Sequence, residues 1–194
     1  MQLLWKKKIT FQLKEGVVLD KKSIEELSIL ADSGNLDAQN ELGIRYRSGD
    51  GVKIDVEKRF YWFERAAKGG HIEAMFHLGM CFYHGKGTSV DFEKALYWFE
   101  QSAQKGYDLA QLIAGSFYEN GKGSPKDFEK AFYWFEQAAN QNHIYALYRV
   151  GLLYKDGKGV SKDLDKAIFY LKKSADMGDL YAKEALEECY KLIK

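Results

Sequence analysis

The stretch DAQNELGIRYRSGDGVKIDVEKRFYWFERAAKGGHI, residues 37–72, returns in altered form as EAMFHLGMCFYHGKGTSVDFEKALYWFEQSAQKGYD over residues 73–108. The two strings align without a gap, and the alignment continues through two further copies. Ala38, Ala74, Ala110, Ala146 and Ala182 stand 36 residues apart, as do Gly43, Gly79, Gly115 and Gly151. Asp55, Asp91, Asp127 and Asp163 keep the interval, and so do Trp62, Trp98 and Trp134. Self-similarity at a fixed period of this size marks a unit that cannot bury its apolar face alone and stacks on its neighbours. The period decides the fold, and it moves the question of function from an active site to a surface.

One copy explains the rest. At about 100° per residue, Ala74, Met75, Leu78, Gly79 and Phe82 share one helical face. Gly85 and Gly87 end that helix, because glycine accepts the left-handed geometry found just past a C-terminus. Asp91 is placed to cap a second helix by accepting a backbone N–H. On that second helix Ala95, Trp98, Phe99, Ser102 and Ala103 form the buried face, and Gly106 closes it. The unit is a helix–turn–helix hairpin. Small residues such as Gly79, Ala95 and Ala103 let helices approach closely, and the tryptophans are expected to fill the space between hairpins, so that Trp98→Ala destabilises the array.

The register divides the chain. It fails over residues 1–19, where Ile9, Phe11 and Leu13 alternate like a short strand. Residues 20–36 match a lone second helix, with Ile24, Leu27, Leu30 and Ala31 on its apolar face. Four repeats follow at 37–72, 73–108, 109–144 and 145–180, and residues 181–194 match a lone first helix that caps the far end.

These residues resemble the Sel-one-like repeat family, a relative of the tetratricopeptide repeat. The first unit supplies Ala38, Leu42, Gly43, Tyr46, Gly49, Gly51, Val52, Asp55, Lys58, Trp62, Phe63, Ala66, Ala67 and Gly70 to the family pattern. Departures are few: Arg59 replaces an alanine, Ala114 a leucine, Tyr170 a tryptophan and Asn142 the closing glycine. Asparagine tolerates left-handed geometry, so the turn should survive there. The resemblance implies an all-α, right-handed α-α superhelical solenoid with adaptor or scaffold roles. Some bacterial members act as immunity proteins that neutralise a toxin, which is the alternative expectation.

Composition narrows the partners. With 29 basic against 28 acidic residues and a net charge of +1, no electrostatic footprint for nucleic acid is present. The opening residues lack the apolar run of a signal peptide, and no stretch approaches the ~20 apolar residues of a membrane helix. Cys81 and Cys189 stand three periods apart in the same column. Stacked helices lie ~8–10 Å apart, so three steps separate them by roughly 25–30 Å, whereas a disulfide needs Cα atoms within about 7 Å. They do not pair within one molecule, which favours a reducing compartment. The expectation is a cytoplasmic monomer that needs no cofactor.

Three motifs suggest chemistry and are better explained by the repeat. Gly85-Lys86-Gly87, Gly121-Lys122-Gly123 and Gly157-Lys158-Gly159 lack phosphate-loop spacing and recur as interhelix turns. Ser102-Ala103-Gln104-Lys105 spells the S-x-x-K of penicillin-recognising enzymes, some cysteine-rich family members being associated with β-lactams. Yet Ser102 shares a core column with Ala66, Ala138 and Ser174, and the accompanying motifs are missing. His77, Cys81 and His84 lie along one helix edge, but zinc needs four ligands, and Arg149 and Phe117 occupy two of these columns elsewhere. No catalytic residue is assigned, and an enzyme with Ser102 as nucleophile or a metal at His77, Cys81 and His84 is the competing class.

A second face of the first helices is the better candidate. It carries Phe76, Met80, Tyr83 and His84 in the second unit, where the first has Asn40, Ile44 and Arg47. The third presents Leu112, Ser116 and Glu119, and the fourth Tyr148, Leu152 and Lys155. By resemblance to tetratricopeptide arrays this face lines a concave groove. Apolar residues where water is expected mark binding surfaces, and these anchors, rimmed by Arg47, Glu119, Arg149 and Lys155, suit a peptide or partner helix. Tight packing of these side chains on one another is the alternative. On the second helices Tyr61, Tyr97, Tyr133 and Phe169 form a column near the outer, convex face, a second candidate surface.

Overall fold

The computed structural model describes Leu19 and residues 22–192. Among the described residues ten α-helices follow one another: α1 (Ile24–Asp32), α2 (Leu36–Ser48), α3 (Val56–Lys68), α4 (Ile72–His84), α5 (Phe92–Gln104), α6 (Asp108–Asn120), α7 (Phe128–Asn140), α8 (Ile144–Asp156), α9 (Leu164–Asp176) and α10 (Leu180–Leu192). No strand occurs among the described residues, and the alternating Ile9, Phe11 and Leu13 lie outside them. The fold is an all-α solenoid of helix–turn–helix repeats. No helix among the described residues is long and apolar enough to cross a membrane. Two compact units are distinguished, one ending at His71 and one beginning at Ile72.

In the first unit, Ser23 opens α1 with a reciprocal cap: its hydroxyl accepts the Glu26 N–H while the Glu26 carboxylate accepts the Ser23 N–H. Such a box satisfies two donors that a helix start leaves without a partner. α1 packs on α2 and α2 on α3. Leu27, Leu30, Ala31, Ala38, Leu42, Tyr46 and Trp62 form the core between them, with Leu19, Ile24 and Val52 against it. Two buried polar side chains there have partners: Gln39 Nε2 donates to Ala31 O at 2.9 Å, and Arg45 is paired with Glu41 at 2.6 Å and Asp50 at 3.4 Å.

The second unit repeats one hairpin. Asp91, Asp127 and Asp163 each accept a backbone N–H, from Lys94, Lys130 and Lys166, at 2.9 Å. These caps start α5, α7 and α9, and the N–H donors hold the Asp91 carboxyl below the usual carboxylate range. Each helix packs on the next, and α8 also meets α10. The closing turn after α7 uses Asn142 at φ 63°, where Gly106 and Gly178 stand at 91° and 101° after α5 and α9. Among the described residues it is the one non-glycine with positive φ, as the short polar side chain allows.

Trp62 and Trp134 are buried as expected of the tryptophan column, and Trp98 departs from it. Trp98 is only half-buried, whereas Phe99 beside it is fully buried, as are Phe135 and Leu171 in its column. Phe99 enters the core because Gly79 on α4 clears the space: a Cβ there would come within 2.7 Å of the Phe99 ring. Gly115 and Gly151 admit Phe135 and Leu171 in the same way. Cys81 and Cys189 are buried thiols, and burial pushes the Cys189 thiol up from its ordinary value.

Candidate functional site

The second unit carries most of the expected face on α4, α6 and α8. Phe76, Met80 and Tyr83 on α4, Leu112 on α6, and Tyr148 and Leu152 on α8 are all half-buried. The physical reason is the short distance to the neighbouring helices, whose rings lean across. Phe76 meets Tyr107 edge-on at 5.3 Å and Phe99 at 5.7 Å. Tyr83 packs on Phe92 at 5.6 Å and on Phe117 at 5.7 Å. His84 is exposed and presents its ring edge-on to Tyr83 at 4.7 Å. In the first unit Arg47 is exposed, and Asn40, expected on the open face, is buried.

One part of the face stays unfilled. A pocket of about 220 Å³ is lined by Met80, Tyr83, Phe99, Ile113, Ser116 and Phe117. Of these, Met80, Tyr83 and Ser116 were legible from the repeat. Phe99, Ile113 and Phe117 were not, although Ile113 carried a signal: its column holds Glu41, His77 and Arg149 in the other units, so an isoleucine there is out of character.

Three of the four charged residues expected at the rim, Glu119, Arg149 and Lys155, tie helices together. Glu119 on α6 pairs with Arg149 on α8, whose guanidinium lies over the Phe135 and Tyr145 rings at 5.7 and 5.9 Å. Lys155 pairs with Glu188 on α10 at 2.7 Å, a bond that raises the lysine pKa and lowers that of the carboxylate. Tyr148 stands 6.1 Å from Tyr145 and 6.4 Å from Tyr181, and burial raises its pKa.

The outer column is the more exposed surface. Tyr97, Tyr133 and Phe169 in the second unit are 53%, 52% and 61% exposed, and Tyr61 in the first is 51% exposed. Each ring stands edge-on to the next residue in sequence, at 4.8 to 5.2 Å from Trp98, Trp134 and Tyr170 and 4.9 Å from Trp62.

Ser102 is fully buried, and its Oγ donates to Ile72 O at 2.9 Å, just as Ser174 Oγ donates to Ile144 O at 3.0 Å. A serine nucleophile needs an exposed Oγ and a base that takes its proton; this hydroxyl instead pins the second helix of a hairpin to the start of the first. Among the described residues no group of three or more His, Cys, Asp or Glu side chains is placed to hold a metal ion. Cys81 is buried while His84 on the same helix is exposed, so the proposed ligands do not converge.

A family model described as Sel1 repeat matches the chain four times, at residues 36–71, 72–107, 108–143 and 144–179. Among solved structures, a protective antigen present in uropathogenic Escherichia coli strains is 33% identical, with a TM-score of 0.79, over 84% of this chain and 35% of that one. A Sel1 repeat protein from Oxalobacter formigenes is 32% identical, again with a TM-score of 0.79, over 85% of this chain and 48% of that one. The chain thus spans about a third and about half the length of these two relatives. Cysteine rich protein B of Helicobacter pylori, 22% identical over 67% of this chain and 96% of that one, with a TM-score of 0.51, shares the fold. No curated protein matches at a significant level.

Proposed function

The chain belongs to the Sel1 repeat family, and on that premise we propose that it binds a segment of another protein on the face formed by α4, α6 and α8. Sel1 repeats are generally protein-interaction modules and their fold is typically a non-catalytic scaffold. The observation that carries the choice of face is the apolar pocket between Met80, Tyr83, Ile113 and Ser116. An apolar cavity of ~150 Å³ is enough to take a benzene ring, so this one accepts a single leucine- or phenylalanine-sized side chain. A partly desolvated pocket of this kind is where binding energy concentrates when an anchor residue fills it.

Filling the pocket from within tests the reading. Ser116→Trp places an indole in the cavity, whereas Tyr97→Ala with Tyr133→Ala strips the outer column. Partners that co-purify with the native protein should be lost by the first variant and kept by the second, both variants retaining the helical circular-dichroism signal. The reverse pattern transfers the function to the Tyr97, Tyr133 and Phe169 surface of the second unit.

A further inference from the structure

The pocket has a charged neighbour that the ion pairs of the fold leave over. Lys122 lies in the turn after α6, and its Nζ donates to the Tyr83 hydroxyl at 3.0 Å. The ammonium sits 4.3 Å from the Tyr83 ring centroid and 4.4 Å from that of Phe92. Tyr83 is also a wall of the pocket, so the cation is held against the cavity lining. Ring faces and a phenol orient a lysine but do not neutralise it.

The equivalent lysine one repeat later is treated differently. Lys158 pairs with Asp156 at 2.9 Å. The residue two before Lys122 is Asn120, not an aspartate, and its amide donates to Ser116 O. Among the described residues no carboxylate pairs with Lys122. The turn after α4 likewise has no acid at this position, His84 standing two before Lys86; what sets Lys122 apart is its place against the Tyr83 and Phe92 rings, beside the apolar pocket that Tyr83 lines.

We infer that the bound segment carries an aspartate or glutamate beside an apolar residue, the apolar side chain entering the pocket and the carboxylate pairing with the Lys122 ammonium. The inference rests on the docking face proposed above and adds the chemistry of its occupant. Two observations select it: the cavity has room for one apolar side chain, and a ring-held cation with no carboxylate partner favours a negative charge within reach of that side chain. Tyr83 and Phe92 pre-order the lysine, so little of its conformational freedom is lost when it binds.

Three sets of capped synthetic peptides test it, each with a central leucine or phenylalanine flanked on both sides by glutamate, by glutamine or by lysine. Fluorescence anisotropy reads their binding to the full chain and to its Lys122→Gln, Lys122→Arg and Ser116→Trp variants, each checked by thermal melting. The glutamate set should bind about tenfold more tightly than the glutamine set, with the lysine set weakest. The preference should shrink as salt is raised, disappear in Lys122→Gln and largely return in Lys122→Arg. Binding of all sets should be lost in Ser116→Trp. Equal binding by the three sets, or a glutamate preference that survives Lys122→Gln or high salt, overturns the acidic occupant; if Ser116→Trp still abolishes binding, the docking face stands. Binding by no set, or binding that Ser116→Trp leaves intact, overturns the inference entirely, and the face then falls if Ser116→Trp also keeps the co-purified partner.

Discussion

At the scale of single residues, the column a side chain occupies explains more than its chemical type. Trp98 and Phe99 are neighbours in sequence, yet only Phe99 enters the space that Gly79 leaves open. Truncating a buried aromatic to alanine costs ~3–5 kcal/mol through lost transfer energy and the cavity left behind. Phe99→Ala should therefore lie in that range, and Trp98→Ala clearly below it, in urea unfolding followed by circular dichroism. Equal losses would mean that the half-exposed tryptophan holds the hairpins together after all. Ser102 makes the same point for polar groups: a hydroxyl in an S-x-x-K string is a backbone-bonded strut because its column lies in the core.

At the scale of helices, phenols join neighbouring elements and make stability depend on pH. Tyr118 on α6 is pushed above its ordinary pKa by burial and by the 2.6 Å bond its hydroxyl donates to Glu100 on α5. Burial raises Tyr107, Tyr148 and Tyr170 in the same direction. The fold thus favours the neutral phenols, and the pKa values in the folded state exceed those of the unfolded chain. This contribution is fully present below the unfolded value of about 10 and is lost as pH rises through the higher folded values. The melting temperature should show no tyrosine-dependent fall up to about pH 10 and then drop, and Tyr118→Phe should drop less steeply. Tyrosinate absorbance in the native and the urea-unfolded protein checks the order of ionisation. Native phenols that titrate together with unfolded ones would remove the explanation.

At the scale of the molecule, a repeat array gains its stability from each unit and its nearest neighbours rather than from one central core. The second unit has its own buried columns, running from Ala74, Leu78 and Phe99 to Leu171 and Cys189, and its helices pack in sequence from α4 to α10. A fragment of residues 72–194 should accordingly fold alone, with a helical spectrum and a cooperative melt. A non-cooperative melt of that fragment would show that its helices need the first unit to order.

How far the sequence reaches follows from the range of each interaction. Helix caps at Asp91, Asp127 and Asp163, the left-handed turn at Asn142 and the glycine columns all act within a few residues or repeat at one interval, so the fold and its hairpins were legible from residues 37–108 alone. The serine and glycine–lysine–glycine motifs could be set aside for the same reason. Which apolar residues remain open was not legible, because burial depends on what the neighbouring helices place opposite. Phe76, Met80, Tyr83 and Tyr148 occupy corresponding helical faces and were expected to be wet. Rings from α5, α6 and their turns cover much of them and leave a pocket whose Phe99, Ile113 and Phe117 walls come from two different helices. Lys122 shows the limit most clearly: its identity is written in the turn, but its place against Tyr83 and Phe92 exists only because two successive hairpins stack. The sequence determined the repeating hairpin, since caps and turns are local; the tertiary structure decided where the surface stays unfilled, since that is a property of neighbours in space.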